Sequence, residues 1–296
     1  MSGSQFLDAM EHIDPIYIEE AEEELHRRRN PWLMRSALAA CAVLALCFAY
    51  TGIDRSPAPV TPITQSTVAA EAPGGISRYL NYGGHRYRFI ENGSTFTLDE
   101  SLLAEPLGIL EYDIVSDPQI YNSVDFASTF AQGGTIYRMS TYDPAFRVAV
   151  KLDGNFYICE STGPTDGSDW NVADYFATAD FQNIVTGISI YDHFGREELT
   201  QLHGGDVEQM LQLLAQVTPA VLTNDDYSKI AKAQTSGESF LVVFQLADTT
   251  RYKLYVIPSM SIAMINNDRF FVTDKFHSAF DATFAALEQT DVERPS

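Results

Sequence analysis

Apolar residues follow three patterns along this chain. The first is a continuous run over residues 33–53, Leu-Met-Arg-Ser-Ala-Leu-Ala-Ala-Cys-Ala-Val-Leu-Ala-Leu-Cys-Phe-Ala-Tyr-Thr-Gly-Ile, close to the ~20 residues a helix needs to cross a hydrocarbon core. Only Arg35 interrupts it, in the first turn where its stem can snorkel outward, and Trp32 and Tyr50 stand at the two interfacial levels. The second pattern is helical: Phe6, Leu7, Met10, Ile13, Tyr17, Ala21 and Leu25 recur at helix-face spacing, with Asp14-Pro15 placed to cap and restart a helix. The third begins near Ser77, where aromatic and polar residues alternate between tight-turn dipeptides.

In that third region, Arg86-Tyr87-Arg88-Phe89-Ile90 and Thr95-Phe96-Thr97 flank Asn92-Gly93 and predict a hairpin. Thr97 and Glu100 have capping-box spacing for a short helix through Leu102 and Leu103, stopped by Pro106. Strands are expected over 108–115, 135–140, 146–152 and 156–160, the last two joined by Asp153-Gly154, and then over 184–191, 239–246, 252–258, 261–265 and 269–272. One helix is expected to start near Asp206, with Gln209 completing a capping box and Val207, Met210, Leu211, Leu214 and Val217 on its stripe. Another carries Phe276, Phe280, Phe284 and Leu287 on one face. The fold class is therefore α+β: one transmembrane helix, then an extracytoplasmic domain of mostly antiparallel sheet with a few flanking helices.

Charge sets the orientation. Arg27, Arg28, Arg29 and Arg35 lie N-terminal to the apolar run and only Arg55 follows closely, which places the N-terminus in the cytoplasm and the C-terminal domain outside. Ala70-Glu71-Ala72 resembles a small-residue cleavage site but lies far beyond the run, and Leu38-Ala39-Ala40-Cys41 resembles a lipidation box, yet Arg35 leaves too short an apolar stretch before it. The organisation expected is a cytoplasmic amphipathic segment over 1–31, a transmembrane helix over 32–53, a Pro/Thr/Ala-rich linker over 54–76, an extracytoplasmic domain over 77–289 and a tail over 290–296. The outer domain divides in sequence into 77–165 and 175–289, so one domain or two subdomains both fit. The net charge of -21 opposes a nucleic-acid partner, because a phosphate backbone would be repelled.

The cytoplasmic segment is too short for a core of its own, so its stripe either docks on a partner or stays solvated. The candidate partner-binding residues are Leu7, Met10, Ile13 and Tyr17. The run Leu7-Asp8-Ala9-Met10-Glu11-His12-Ile13-Asp14-Pro15-Ile16-Tyr17-Ile18-Glu19-Glu20-Ala21, the arginine cluster, Trp32 and the Ala/Leu/Cys span resemble the start of poorly characterised single-pass membrane proteins of Gram-positive gut bacteria. Some of those look like anti-sigma-factor regulators. The resemblance covers roughly the first fifty residues and implies a cytoplasmic partner such as a sigma factor; it names no catalytic residue.

Catalytic motifs are sparse. The sequence has no Gly-Xaa-Ser-Xaa-Gly elbow, His-Glu-Xaa-Xaa-His helix, Walker loop or Cys-Xaa-Xaa-Cys pair. His85, His193, His203 and His277 lack ligand spacing and read as surface or satisfied core residues, and Cys159 reads as a small buried hydrophobe. Asp166-Gly167-Ser168-Asp169-Trp170-Asn171, with Asp174, reads as an Asx-turn loop with Trp170 tucked against the domain, since the ligand pattern of a calcium loop is missing. The acid pairs Asp99-Glu100, Glu197-Glu198 and Asp225-Asp226 read as solvated turn and cap residues. The expectation is thus a non-enzymatic membrane-anchored regulator or sensor, without cofactor or metal. A surface binding or structural module with a passive inner segment is the alternative, and an extracytoplasmic hydrolase has no motif to support it.

Overall fold

Alternation along the second part of the chain is realised as two antiparallel sheets that share a core. The protein is described from a computed structural model covering residues 61–67, 77–168, 170–266 and 268–287, all within the compact unit Pro57–Ser296. The expected cytoplasmic segment with Leu7, Met10, Ile13 and Tyr17, the expected span over 32–53 and the tail over 290–296 lie outside these residues. Among the described residues no helix is long and apolar enough to cross a membrane.

The first sheet contains β1 (Thr64–Thr67), β2 (Tyr79–Tyr82), β3 (His85–Phe89), β4 (Thr95–Thr97), β5 (Leu103–Ile109), β6 (Tyr112–Asp113), β7 (Ala127–Ser128), β8 (Thr135–Met139), β9 (Arg147–Leu152) and β10 (Asn155–Pro164). Its order is β5-β8-β9-β10-β3-β2-β7-β6, with β4 also on β10 and β1 on β4. Only the β6–β7 pair among these is parallel. The second sheet has β11 (Val185–Asp192), β12 (Glu198–Leu202), β13 (Thr218–Pro219), β14 (Phe240–Leu246), β15 (Arg251–Ile257), β16 (Ile262–Ile265) and β17 (Asp268–Phe271), in the order β12-β11-β14-β15-β16-β17-β13. The helices are α1 (Val172–Thr178), α2 (Phe181–Ile184), α3 (Gly205–Leu214), α4 (Asn224–Thr235) and α5 (Asp274–Ala285).

Period-two alternation assigns the faces. Ala149 of β9 and Ile158 of β10 enter the main core, together with Phe240, Val242 and Phe244 of β14 and the apolar stripes of α3 and α5. Val148, Val150, Tyr157 and Cys159, one residue out of phase, build a second core on the far face of the first sheet. α4 covers the opposite face of the second sheet with Ile230 and Ala233 against Ile257, Ile262 and Met264. Phe181 of α2 sits between sheets and helices, its ring 5.3 Å from Phe146, 4.8 Å from Phe176, 5.6 Å from Phe244 and 4.9 Å from Tyr252.

Several local expectations are corrected. β3 and β4 do not form a hairpin: Glu91, Asn92 and Gly93 all take positive φ, at 46°, 53° and 78°, so the chain turns through a 3-10 helix, Ile90–Asn92, instead of reversing on two residues. Both strands then lie along β10, with Cys159 opposite Phe89 and Phe156 opposite Phe96. Thr97 does not cap the next turn, because it stays in β4 opposite Thr64; Asp99 caps the 3-10 helix Glu100–Leu102 by accepting from the Ser101 amide at 2.9 Å. The strand expected over 108–115 is displaced to β5. There Pro106 is accommodated by irregular pairing on an edge strand, and Gly108 is required because a Cβ would come within 2.2 Å of the Phe126 ring. α3 is preceded by Gly204 as its N-cap and lacks the expected side-chain cap, although Val207, Met210, Leu211 and Leu214 are buried.

The stretch expected as an extended linker contains a folded piece. Ile63 is 3% exposed; its amide donates to the Asp248 carbonyl at 2.8 Å, and the Thr249 hydroxyl donates to the Ile63 carbonyl at 2.8 Å. β1 follows it directly and pairs with β4.

Candidate functional site

Four kinds of polar residue stood out in the sequence, and the fold separates them. Cys159 is fully buried and free, and burial raises its thiol pKa well above the ordinary value, which suppresses the reactive thiolate. The 166–171 loop forms an Asx turn, with the Ser168 amide donating to Asp166 at 2.9 Å, while Asn171 caps α1 through the Ala173 amide at 2.8 Å. Trp170 donates to Asp268 and packs edge-on against Tyr175 and Phe270; Asp169 lies outside the described residues. Of the acid pairs, Asp99 is the cap already noted, Glu198 accepts from Tyr191 at 2.7 Å, and Asp226 completes a capping box with Thr223 at the start of α4. Among the described residues no group of three or more His, Cys, Asp or Glu side chains converges to hold a metal ion.

A buried ionic network joins the two sheets. Arg147 of β9 and Glu160 of β10 face the main core, 0% and 2% exposed at the side chain, and meet at 2.8 Å. Arg88 of β3 reaches the other Glu160 oxygen at 3.1 Å. Arg147 also donates to the Thr250 hydroxyl at 2.6 Å, in the turn between β14 and β15, and to the carbonyl of Arg251, the first residue of β15, at 3.1 Å. Thr250 in turn donates to Asp248 at 2.6 Å, and Tyr142 donates to the same carboxylate. Burial alone would lower the Arg147 pKa, but Glu160, Tyr142 and Asp248 together outweigh it, and the guanidinium is held charged.

Two hollows lie beside polar side chains. The smaller, about 150 Å³, is lined by His85, Ser161, Gly163, Trp170 and Tyr175 among others. Ser161 is 1% exposed and lies 3.3 Å from His85 Nδ1. Burial lowers the His85 pKa, against the pull of Asp125 and Asp143.

The larger hollow, about 300 Å³, lies between α5 and the start of β14, with Phe240, Phe284 and Pro258 as apolar lining and Glu238, His277 and Asp281 as polar lining. His277 and Asp281 share one face of α5 at helical spacing, and Nδ1 lies 2.7 Å from the Asp281 carboxylate. Nε2 lies 2.9 Å from the Ser261 hydroxyl. A carboxylate accepts, so the contact with Asp281 places a proton on Nδ1, and the tautomer with its single proton there has Nε2 free to accept from the Ser261 hydroxyl. Ser261 is set there by backbone geometry. It ends the 3-10 helix Pro258–Met260 in the left-handed region, φ 56° and ψ 33°, with its amide donating to the Pro258 carbonyl at 3.0 Å. The β16–β17 hairpin then returns the chain to Thr273, whose hydroxyl caps α5.

In the sequence His277 reads as a surface or core residue, and neither Ser261 nor Asp281 stands out. The His-Xaa-Xaa-Xaa-Asp spacing on the Phe276 helix was the one visible signal, and the serine partner lies beyond any short motif. Compared with known families, curated proteins and solved structures, the chain matches none of them.

Proposed function

We propose that this chain is a membrane-anchored, non-enzymatic regulator or sensor whose outer α+β domain binds a ligand or partner. The inner segment, in this reading, contacts a cytoplasmic protein such as a sigma factor through Leu7, Met10, Ile13 and Tyr17, and residues 32–53 anchor the chain in the cell membrane with its N-terminus inside. The supporting observation is the seat of Ile63. The chain leading from the apolar run enters the outer domain as a core residue and a paired strand, held by the β14–β15 turn. A rearrangement of that turn therefore acts on the chain that leads to the bilayer, which a loose tether would not allow.

The test is affinity capture from detergent-solubilised membranes with the full chain, beside a variant carrying Leu7→Asp, Met10→Asp and Ile13→Asp. The native chain is expected to retain a cytoplasmic protein that the variant loses, because three charges on one face abolish helix-in-groove docking. Capture of no cytoplasmic protein by the native chain would favour the second reading, a surface binding or structural module with a passive inner segment.

A further inference from the structure

We infer that Ser261 is an acyl-accepting nucleophile, activated by His277 and Asp281, and that the hollow beside it receives an uncharged or amine-bearing ester with an apolar acyl group. The inference rests on the reading of the outer domain as ligand-binding and names the chemistry of that ligand. Its starting point is the order of contacts: carboxylate to Nδ1 at 2.7 Å, and Nε2 to serine hydroxyl at 2.9 Å. This is the connectivity by which a neutral imidazole removes a hydroxyl proton while a carboxylate stabilises the imidazolium that results. Ser261 is also a non-glycine residue in the left-handed region, a conformation of modest cost that fixes where its hydroxyl stands.

The hollow defines the substrate class. Phe240, Phe284 and Pro258 form the apolar part of its lining, suited to an acyl chain, and His277, which holds Ser261 at Nε2, lines the same hollow. Glu238, held by the Ser236 and Ser259 hydroxyls at 3.0 and 2.9 Å, and Asp281 place negative charge at the same hollow and repel anionic substrates. In the step itself a bond forms between Ser261 Oγ and the acyl carbon as the bond from that carbon to the leaving-group oxygen breaks. The hydroxyl proton passes to His277 Nε2 and then to the departing alkoxide, so no oxidant or reductant takes part.

The Ser261 amide is already engaged with the Pro258 carbonyl. It is therefore not a free donor for the oxyanion of a tetrahedral intermediate, and absence of one such donor costs about 10²–10³ in rate. The site is thus suited to capture an acyl group and hold it rather than to turn over rapidly, which agrees with a sensor that records an encounter as a covalent mark.

The test uses the full chain in detergent with an alkyl fluorophosphonate, followed by intact mass and peptide mapping. One phosphonyl group per chain is expected, on the peptide containing Ser261. Labelling is expected to vanish in Ser261→Ala and to slow by about a hundredfold or more in His277→Gln, the usual contribution of a positioned general base; Asp281→Asn should slow it less than His277→Gln. Label mapped elsewhere, labelling of His277→Gln at the native rate, or no label on the folded native chain would overturn the inference. Mapping on the native chain decides the matter even where a variant fails to fold. Loss of the inner partner in the capture experiment leaves this result untouched, so the two readings fail separately.

Discussion

Arg147→Met is expected to lower the unfolding free energy by about 3–5 kcal/mol, the usual consequence of stranding one member of a buried ion pair. The reason lies in the surroundings. Glu160 would keep Arg88, which is partly exposed, but would lose the 2.8 Å partner that shares its buried face. The Thr250 hydroxyl and the Arg251 carbonyl would lose the Arg147 guanidinium as well. The double variant Arg147→Met with Glu160→Gln should be markedly less destabilised than the single one, because a buried carboxylate left with only the partly exposed Arg88 no longer recovers its desolvation cost. Urea denaturation of both checks this; equal destabilisation would show that the packing volume of Arg147, and not its charge, holds the sheets together.

Phe181→Ala should be comparably severe, at about 3–5 kcal/mol, with a drop in thermal midpoint of roughly 6–20 °C for a domain of this size. Phe181 is 1% exposed and packs edge-on to Phe146 and Phe244 while leaning on Phe176 and Tyr252. The surrounding rings come from α1, from the turn that leads into β9, and from β14 and β15, so the vacated volume has no single flexible neighbour able to collapse into it. Phe181→Leu should retain part of the loss, since it restores volume without the ring geometry. Differential scanning calorimetry of the two variants against the native chain reads the difference, and a Phe181→Ala midpoint within about 2 °C of native would contradict the proposed role of this ring.

Local regularity decided how much of this fold could be read in advance. β9 and β10 were legible because Asp153-Gly154 takes positive φ at both positions and the flanking residues keep one face apolar. α5 was legible through Phe276, Phe280 and Phe284, all buried as their spacing implied. α1 and α2 were not, since Asp180 takes φ 57° between them and breaks a single helical period into two short ones. The β3–β4 hairpin failed because three successive left-handed residues turned the chain away where a two-residue turn would have reversed it. Arg147 and Glu160 stand at the ends of the expected strands 146–152 and 156–160, and only the pairing of β9 with β10 at that position and the approach of the β14–β15 turn make them interior. Ser261 was hidden for the same reason, because its relation to His277 depends on the β16–β17 hairpin and on no local motif.

The seat of Ile63 has a consequence for the order in which the domain can assemble. Its closing hydrogen bond joins residues 186 positions apart in the chain, and loop-closure entropy makes such a contact among the slowest to form. The seat of Ile63 therefore cannot be completed until the β14–β15 turn has formed. A chain interrupted anywhere before that turn can still pair β1 with β4 but leaves the Ile63 amide and carbonyl without their partners, so the segment that leads to the apolar run is fully seated only when the β14–β15 turn is in place.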